Sequence, residues 1–484
     1  MSSVSIAGNF LGGAWVSPAG IHNCGTLRVI NPGDLSAGPL AEYDWSRSFV
    51  DLAVVHARRA FPSWRKMPWD EREAILQGAQ RGIEARREEL ARSIALEMGK
   101  PIADARAEVT VMVKKFDITL PDAKALLTPH PHPDDHTIIV RGEPRGVVAV
   151  IGPFNFPRHL VNGMVLPALA TGNTVVLKPA SITPGVWKIM TEIFQEAGLP
   201  HGVLNYVLGD WSVGQLMAEH PDIDLLLFTG GVKAGRAIKR AAVETRKEIT
   251  LEMGGQGVAL VLEDADVQKA LDHIVKGATV RGGQNCNGTR HVVVVGGNRR
   301  AEEMKEAIRE RFGRIRVGYQ LDDGIDYGPL ATDPATGFRR DLSVILARGG
   351  EILFEGSLPS GLPRGYYVGP ILYYCPKNVF DPDDIHEVFG PALGLTVVSS
   401  VEQGLELMNS RGLRLSCAIH GADVAYASAL AMDARWGQTI INGPTVGASS
   451  FTDFAGLGEA TYGGSGGRAM TEHTITRVNI IRGK

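Results

Sequence analysis

Between Phe61 and Gly99 apolar residues recur at helical spacing, with Leu76, Ile83 and Leu90 on one face. Asp70 and Glu73 resemble a capping box inside that stretch, and Gly99 and Pro101 supply a stop. A second amphipathic helix is expected from Ile102 into the 110s. The pattern then turns polar, His130-Pro-His-Pro-Asp-Asp-His136, before a strand-like Thr137-Ile-Ile-Val140. The clustered His and Asp match no metal-ligand spacing, and a solvated turn before a strand accounts for them.

After Gly146 the texture changes to apolar strands separated by helices. VVAVIG, TVVLKP, VLNYVLG and DLLLFTG read as buried strands, with helices starting near His159 and running from about Pro184 to Ala197. Continuous apolar strands alternating with helices predict an α/β fold with a parallel, doubly wound sheet. A second strand-and-helix series starts near Val258 and continues into the 440s. The segment from His473 to Ile481 alternates like a strand exposed on one face.

The 484 residues allow two or three domains, and 44% hydrophobic with 21% charged residues is a globular balance. A net charge of −3 gives no general attraction to nucleic acid or to an anionic membrane. Cys24, Cys286, Cys375 and Cys417 are widely scattered, so a reducing, cytoplasmic setting is expected rather than a disulfide framework or a zinc knuckle. The opening MSSVSIAGNFLGGAWVSPAG reads as two short strands around a turn and not as a signal peptide. No apolar run approaches the ~20 residues of a membrane span.

Within this frame a few residues sit where chemistry could be done. Cys286 lies in RGGQNCNGT, among small polar residues and glycines, where a thiol is presented to a ligand rather than packed in a core. Glu252, in TLEMGGQG, lies between two apolar residues and before two glycines. It is either a poised general base or a strand-end carboxylate bonded to a neighbouring backbone. Asn155, in IGPFNFPRH, follows a buried strand and is bracketed by Pro153 and Pro157. Its amide is placed to donate to an oxyanion, although turn propensity explains an Asn there equally well. Lys178 ends the strand VVLKPAS, and Gly230 and Gly235 flank a strand–helix junction whose N–H groups suit a phosphate.

Taken one at a time these signals are modest, but FNFP, LKPA, FTGG, LEMGG, the Gln-Asn-Cys turn and HEVFGP stand in one order. In that order, and in the interval between Glu252 and Cys286, the chain resembles the aldehyde dehydrogenase superfamily over nearly its whole length. The resemblance implies two doubly wound parallel-sheet domains and a small β oligomerisation arm. Residues 1–126 and 145–254 would bind a dinucleotide, 255–454 would be catalytic, and 127–144 with 469–484 would form the arm. It implies Cys286 as nucleophile, Asn155 with the Cys286 N–H as oxyanion hole, and Glu252 as the base that activates water. Lys178 and Ser181 would face the adenosine ribose of NAD or NADP, and Phe154, Gly230, Gly231 and Gly235 would lie along the cofactor. Glu387 and Phe389 would hold the nicotinamide end. Phe454 would line the substrate tunnel, with no metal involved.

Within the family, GVVAVIGPFNFPRHLVNGMVLPALATGN and VGASS resemble the members that oxidise N-succinylglutamate 5-semialdehyde in arginine catabolism. A semialdehyde substrate follows as the expectation, with Arg158 and His159 as candidate anchors beside Arg281, Ser449 and Ser450. There are departures. Gly231 stands at the usual FTGS serine, Gln256 replaces a commoner lysine, and Ser181 occupies the place of a glutamate common in NAD-preferring members, which admits NADP. DFAG, Asp453 to Gly456, replaces PFGG, and an unusual GGSGGR follows. Two alternatives are an acylating enzyme that passes the acyl group to coenzyme A, which Glu252 argues against, and a non-catalytic binding protein. An exposed final strand invites pairing with another chain, so a homodimer or homotetramer is expected.

Overall fold

The computed structural model describes residues 8–18, 24–447, 449–464 and 466–481. Its first sheet is built on the strands Leu204–Tyr206, Thr174–Lys178, Val147–Ile151, Leu225–Thr229 and Glu248–Glu252, paired in parallel in that order. The middle strands are apolar along their length because helices cover both faces, leaving every residue of Val147–Ile151 and Thr174–Lys178 buried. The hairpin Asn9–Leu11 and Ala14–Val16 closes one edge, and Thr461–Tyr462 pairs antiparallel with Leu251 and Glu252 at the other. Strand order reverses between Val147–Ile151 and Leu225–Thr229, which opens a crevice beyond their carboxyl ends. The loops carrying Asn155 and Gly230 leave from those two ends.

Residues 253–256 lead directly from the first sheet into the second. That sheet runs Glu351–Glu355, Ile371–Tyr374, Ala392–Val398, Thr289–Val295, Gly257–Val261, Ser416–His420 and Gln438–Ile441, parallel except for its first pair. The carboxyl edge of the first sheet therefore leads to the amino edge of the second, where the Cys286 loop precedes Thr289. A third, three-stranded sheet joins Ile475–Ile481, Ile138–Pro144 and His130–Pro131 in antiparallel register. Among the described residues no helix is long and apolar enough to cross a membrane.

The helical stretch expected from Phe61 to Gly99 is instead three helices, Phe49–Lys66, Trp69–Ala85 and Arg87–Met98. Pro68 forces the first break by holding Met67 in an extended conformation. No Gly or Pro marks the second break, at Arg86, whose guanidinium draws Glu89, Glu192 and Glu196 around it. Asp70 and Glu73 do not form a capping box: the N-cap is Pro68, and Glu73 accepts from the Trp69 indole at 2.7 Å. The following helix runs beyond the 110s, as Ile102–Leu127. The final strand is shorter than expected because Met470–His473 turns into a helix before it.

The helix His159–Ala170 follows the Asn155 loop and is anchored by a buried charge pair. Glu108 takes the Lys100 ammonium on one oxygen, and the other accepts the N–H groups of Arg158 and His159 at 3.1 Å each. The carboxylate thereby satisfies N–H donors that a helix start leaves open. Glu108→Ala strands the Lys100 charge in the interior. We expect a loss of about 3–5 kcal/mol, read as a lower denaturant midpoint; an unchanged midpoint would show that the pair contributes nothing.

Candidate active site

The helix Val267–Thr279 ends in a turn through the left-handed region, with φ of 58° at Arg281, 63° at Gly282 and 69° at Gly283. Gly283 has a further reason to lack a side chain, since a Cβ there would overlap the carbonyl of Gly390. Arg281 carries a strain of about 1–3 kcal/mol and is held by its surroundings. Its guanidinium lies 4.9 Å from the centre of the Phe156 ring and donates to Asn285 Oδ1 at 3.2 Å. The loop that follows carries Cys286, and it is tied down at each residue before the cysteine. Gln284 Oε1 accepts from Ala331 N at 3.0 Å, and Asn285 Nδ2 donates to the Val280 carbonyl at 2.8 Å.

The strongest tie is Arg290, 1% exposed. It donates to the carbonyls of Gly283 at 2.7 Å and Asn285 at 2.5 Å, and to Glu387 at 2.9 Å. Its guanidinium also lies 5.3 Å from the centre of the Phe389 ring. The cysteine loop and the Glu387–Phe389 segment are thus bound to one cation. Burial pushes the Glu387 carboxyl up to about 7 even with Arg290 beside it.

Two cavities meet at Cys286. A cleft of about 1000 Å3 holds Phe154, Asn155, Gly230, Gly231, Glu387 and Phe389 on its wall. A narrower cavity of about 240 Å3 holds Glu252, His159, Ser449, Ser450 and Phe454. Cys286, Leu160 and Thr229 line both. Burial, with Glu387 and Glu252 adding to it, pushes the Cys286 thiol up to about 12. The Asn155 amide is buried, lines the large cleft and donates to the Gln284 carbonyl at 3.1 Å.

Glu252 is the last residue of its strand and 6% exposed. Its carboxyl accepts from Gly466 N at 2.8 Å and Thr461 Oγ at 3.1 Å, and burial nonetheless pushes it up to about 8. The two glycines after it are dictated by close approach: a Cβ on Gly254 would overlap the Glu387 carboxylate, and one on Gly255 the Cys286 carbonyl.

The large cleft suits a dinucleotide. The helix Val232–Val243 opens onto it with Gly231 as N-cap and no side-chain cap, and Lys233, Arg236 and Arg240 add positive charge along its wall. A Cβ on Gly231 would meet nothing within 4 Å, so the missing serine leaves open space. Phe154 and Phe389 meet edge to face at 5.9 Å and 79°.

Some expected residues are placed elsewhere. Gly235 faces Met253, whose sulfur occupies the space of a side chain, and lies behind the cleft wall. Lys178 donates its ammonium to the Pro179 carbonyl at 3.1 Å, and burial lowers it to about 8; Ser181 donates to the Gly209 carbonyl at 2.9 Å. Their neighbour Ala180 is what reaches the cleft. Arg158 is not a substrate anchor in this arrangement. It is fully buried, donates to the Val186 carbonyl at 3.3 Å, and lines neither cavity. Gln256 donates to the carbonyls of Asp384 and His386 at 2.9 Å each and accepts from Leu413 N at 3.0 Å, a role a lysine cannot fill because an ammonium accepts nothing.

Sequence reasoning missed Arg290, Thr461 and Gly466. The glycine-rich GGSGGR was the one local sign of Gly466. Arg290 stands just beyond the flagged Cys286 turn but carried no sign of its own, and the segment of Thr461 carried none.

The aldehyde dehydrogenase family model matches residues 20–480, and the chain belongs to that family. It is therefore an oxidoreductase of the aldehyde group. The N-succinylglutamate 5-semialdehyde dehydrogenase of Sphingopyxis alaskensis is 35% identical over 418 residues, 85% of each chain. That of an Enterobacter species is 32% identical over 93% of this chain and 90% of its own. Among solved structures, aldehyde dehydrogenase C of Pseudomonas syringae, complexed with NAD+ and octanal, matches with a TM-score of 0.89 at 28% identity. The alignment covers 99% of this chain and 98% of that one. Betaine aldehyde dehydrogenase of Staphylococcus aureus in complex with NAD+ matches at 0.90 and 26% identity, covering 98% of this chain and 95% of its own.

Arg290→Leu removes the cation that binds the cysteine loop to Glu387 and leaves that carboxylate buried alone. A stability loss of about 3–5 kcal/mol is expected in a denaturation curve, together with loss of turnover. A variant of undiminished stability would remove Arg290 from this role.

Proposed function

We propose that the protein oxidises a semialdehyde to the carboxylic acid with NAD+ or NADP+, through a thioester on Cys286. The observation that carries this reading is the position of the thiol, shared by a dinucleotide-sized cleft and a narrow cavity that Glu252 lines. Phe154, Gly230, Gly231, Glu387 and Phe389 would hold the dinucleotide, with Ala180 at the cleft and Lys178 and Ser181 on either side of it behind the wall. When bound, it supplies the hydride acceptor.

Cys286 attacks the aldehyde carbon from the junction of the two cavities, and its proton passes to a base in the site. The oxyanion that forms is met by the Asn155 amide and the Cys286 N–H, fixed dipoles that need no reorganisation. Glu252 then takes a proton from water, which attacks the thioester carbon and releases the acid and the thiol. A carboxyl raised to about 8 holds its proton at neutral pH and accepts one only as pH rises. Glu252 in turn speaks against transfer to coenzyme A, because an acylating enzyme has to spare the thioester from water.

The relatives named for N-succinylglutamate 5-semialdehyde support that compound as substrate and a place in arginine catabolism. Ser181 in place of a carboxylate leaves a 2′-phosphate without repulsion, which keeps NADP+ beside NAD+. The first sheet supports residues 1–126 and 145–254 as the dinucleotide-binding domain, and the second supports 255–454 as the catalytic one. The three-stranded sheet of 127–144 and 469–484 would be the arm of a homodimer or homotetramer, since Ile480 and Ile481 are left exposed on it.

The test is reduction of NAD+ and NADP+ with a panel of semialdehydes, with and without coenzyme A. Cys286→Ala is expected to abolish turnover while retaining dinucleotide binding; full activity would overturn the mechanism. Glu252→Gln is expected to give a burst of reduced cofactor and then slow deacylation, and a burst-free, undiminished rate would count against its role. In the unaltered enzyme kcat should rise as pH passes through about 8, and a flat profile there would exclude Glu252 as the group that titrates.

A further inference from the structure

The 240 Å3 cavity carries more positive charge than an aldehyde carbon requires. Besides Cys286, five titratable side chains reach it among the described residues: Glu108, Lys115, His159, Glu252 and Arg281. Both carboxyl groups are committed. Glu108 is neutralised by Lys100 and bonded to two backbone N–H groups, and Glu252 is held by Thr461 and Gly466. With its carboxyl raised by burial, Glu252 adds little negative charge at neutral pH.

Lys115 keeps open donors, and Arg281 keeps one beside its ion pair with Asp104. Lys115, on the helix Ile102–Leu127, is 2% exposed, and its ammonium donates to the Gly467 carbonyl at 3.0 Å. An ammonium has three donors, so among the described residues two remain. Arg281 gives one N–H to Asn285, lies 3.7 Å from the Asp104 carboxylate, and has a buried Nε without a partner. Donors left open in the interior cost free energy that an anionic acceptor recovers.

The space for such an anion is also present. Gly163 sits inside the helix His159–Ala170, where a glycine costs about 1 kcal/mol relative to alanine. It lines the cavity, and a Cβ there would meet nothing within 4 Å. Val111, Leu160, Met164, Met470 and Phe454 supply apolar wall for a methylene chain.

We propose that Lys115 and Arg281 anchor the carboxylate of the semialdehyde in this cavity, with Gly163 leaving room for it. The inference rests on Cys286 being the nucleophile of the same cavity. It names residues that decide which aldehydes enter.

The probes are 5-oxopentanoate and pentanal, which share a chain length and differ in the carboxylate. The unaltered enzyme is expected to favour 5-oxopentanoate in kcat/KM by about tenfold or more. That ratio should collapse toward one in Lys115→Met, through KM rather than kcat, and be largely restored in Lys115→Arg. Equal losses on both aldehydes in Lys115→Met, or no preference in the unaltered enzyme, would overturn the anchor. Calorimetric titration with glutarate needs no turnover and separates this inference from the reaction itself. Glutarate binding that is lost in Lys115→Met supports the anchor even if no aldehyde is oxidised; absence of binding to the unaltered enzyme overturns it even if aldehydes are.

Discussion

The candidate active site depends on the buried guanidinium of Arg290. A cation without water has to direct its donors at protein acceptors, and those within reach are the carbonyls of Gly283 and Asn285 and the carboxylate of Glu387. Two of these belong to the loop that carries Cys286, and the third belongs to a segment about a hundred residues further along the chain. The left-handed turn through Arg281, Gly282 and Gly283 is the route by which the backbone brings its carbonyls to that cation. Close approaches follow: Gly254, Gly255 and Gly283 lie where a Cβ would strike the Glu387 carboxylate, the Cys286 carbonyl or the Gly390 carbonyl.

Once the loop is held, the thiol falls between two different environments. On one side is the crevice formed where strand order reverses in the first sheet, with a helix N-terminus and basic side chains on its wall. On the other is a narrow space closed by the helices Ile102–Leu127 and His159–Ala170 and by the segment after Thr461. Burial acts on both acidic groups there, lifting the Cys286 thiol and the Glu252 carboxyl above their ordinary ranges. Both groups are thus held in their neutral, protonated form at neutral pH.

A second buried network supports the narrow side. The Lys100–Glu108 pair sets the start of the helix that bears His159 and Gly163, and the Lys100 ammonium also lies 4.1 Å from the centre of the Phe156 ring. Phe156 in turn lies under the Arg281 guanidinium. Lys100, from the turn between two helices, and Arg281, on the strained loop, thus meet one aromatic ring that also lines the narrow cavity.

The apolar runs VVAVI, TVVLK and LLLFT determined a parallel sheet without further help, because continuous β-branched and aliphatic strands between helices have no other way to bury both faces. The order of FNFP, LEMGG and the Gln-Asn-Cys turn determined the family and singled out Cys286 and Glu252. Local pattern did not reveal the break at Arg86, whose guanidinium meets Glu192 and Glu196 about a hundred residues away, nor the true place of Arg158, beside Glu97 and Glu108 inside the core. Lys115 was silent for the same reason: a lysine on a helix reads as solvated until another segment, here the one ending at Gly467, covers it. Periodicity and motif spacing report interactions between near neighbours in the chain. A cavity wall is made by residues hundreds of positions apart, and burial, charge balance and open space are properties of that wall, so only the tertiary structure decided which cations share a cavity with Cys286 and which are sealed away from it.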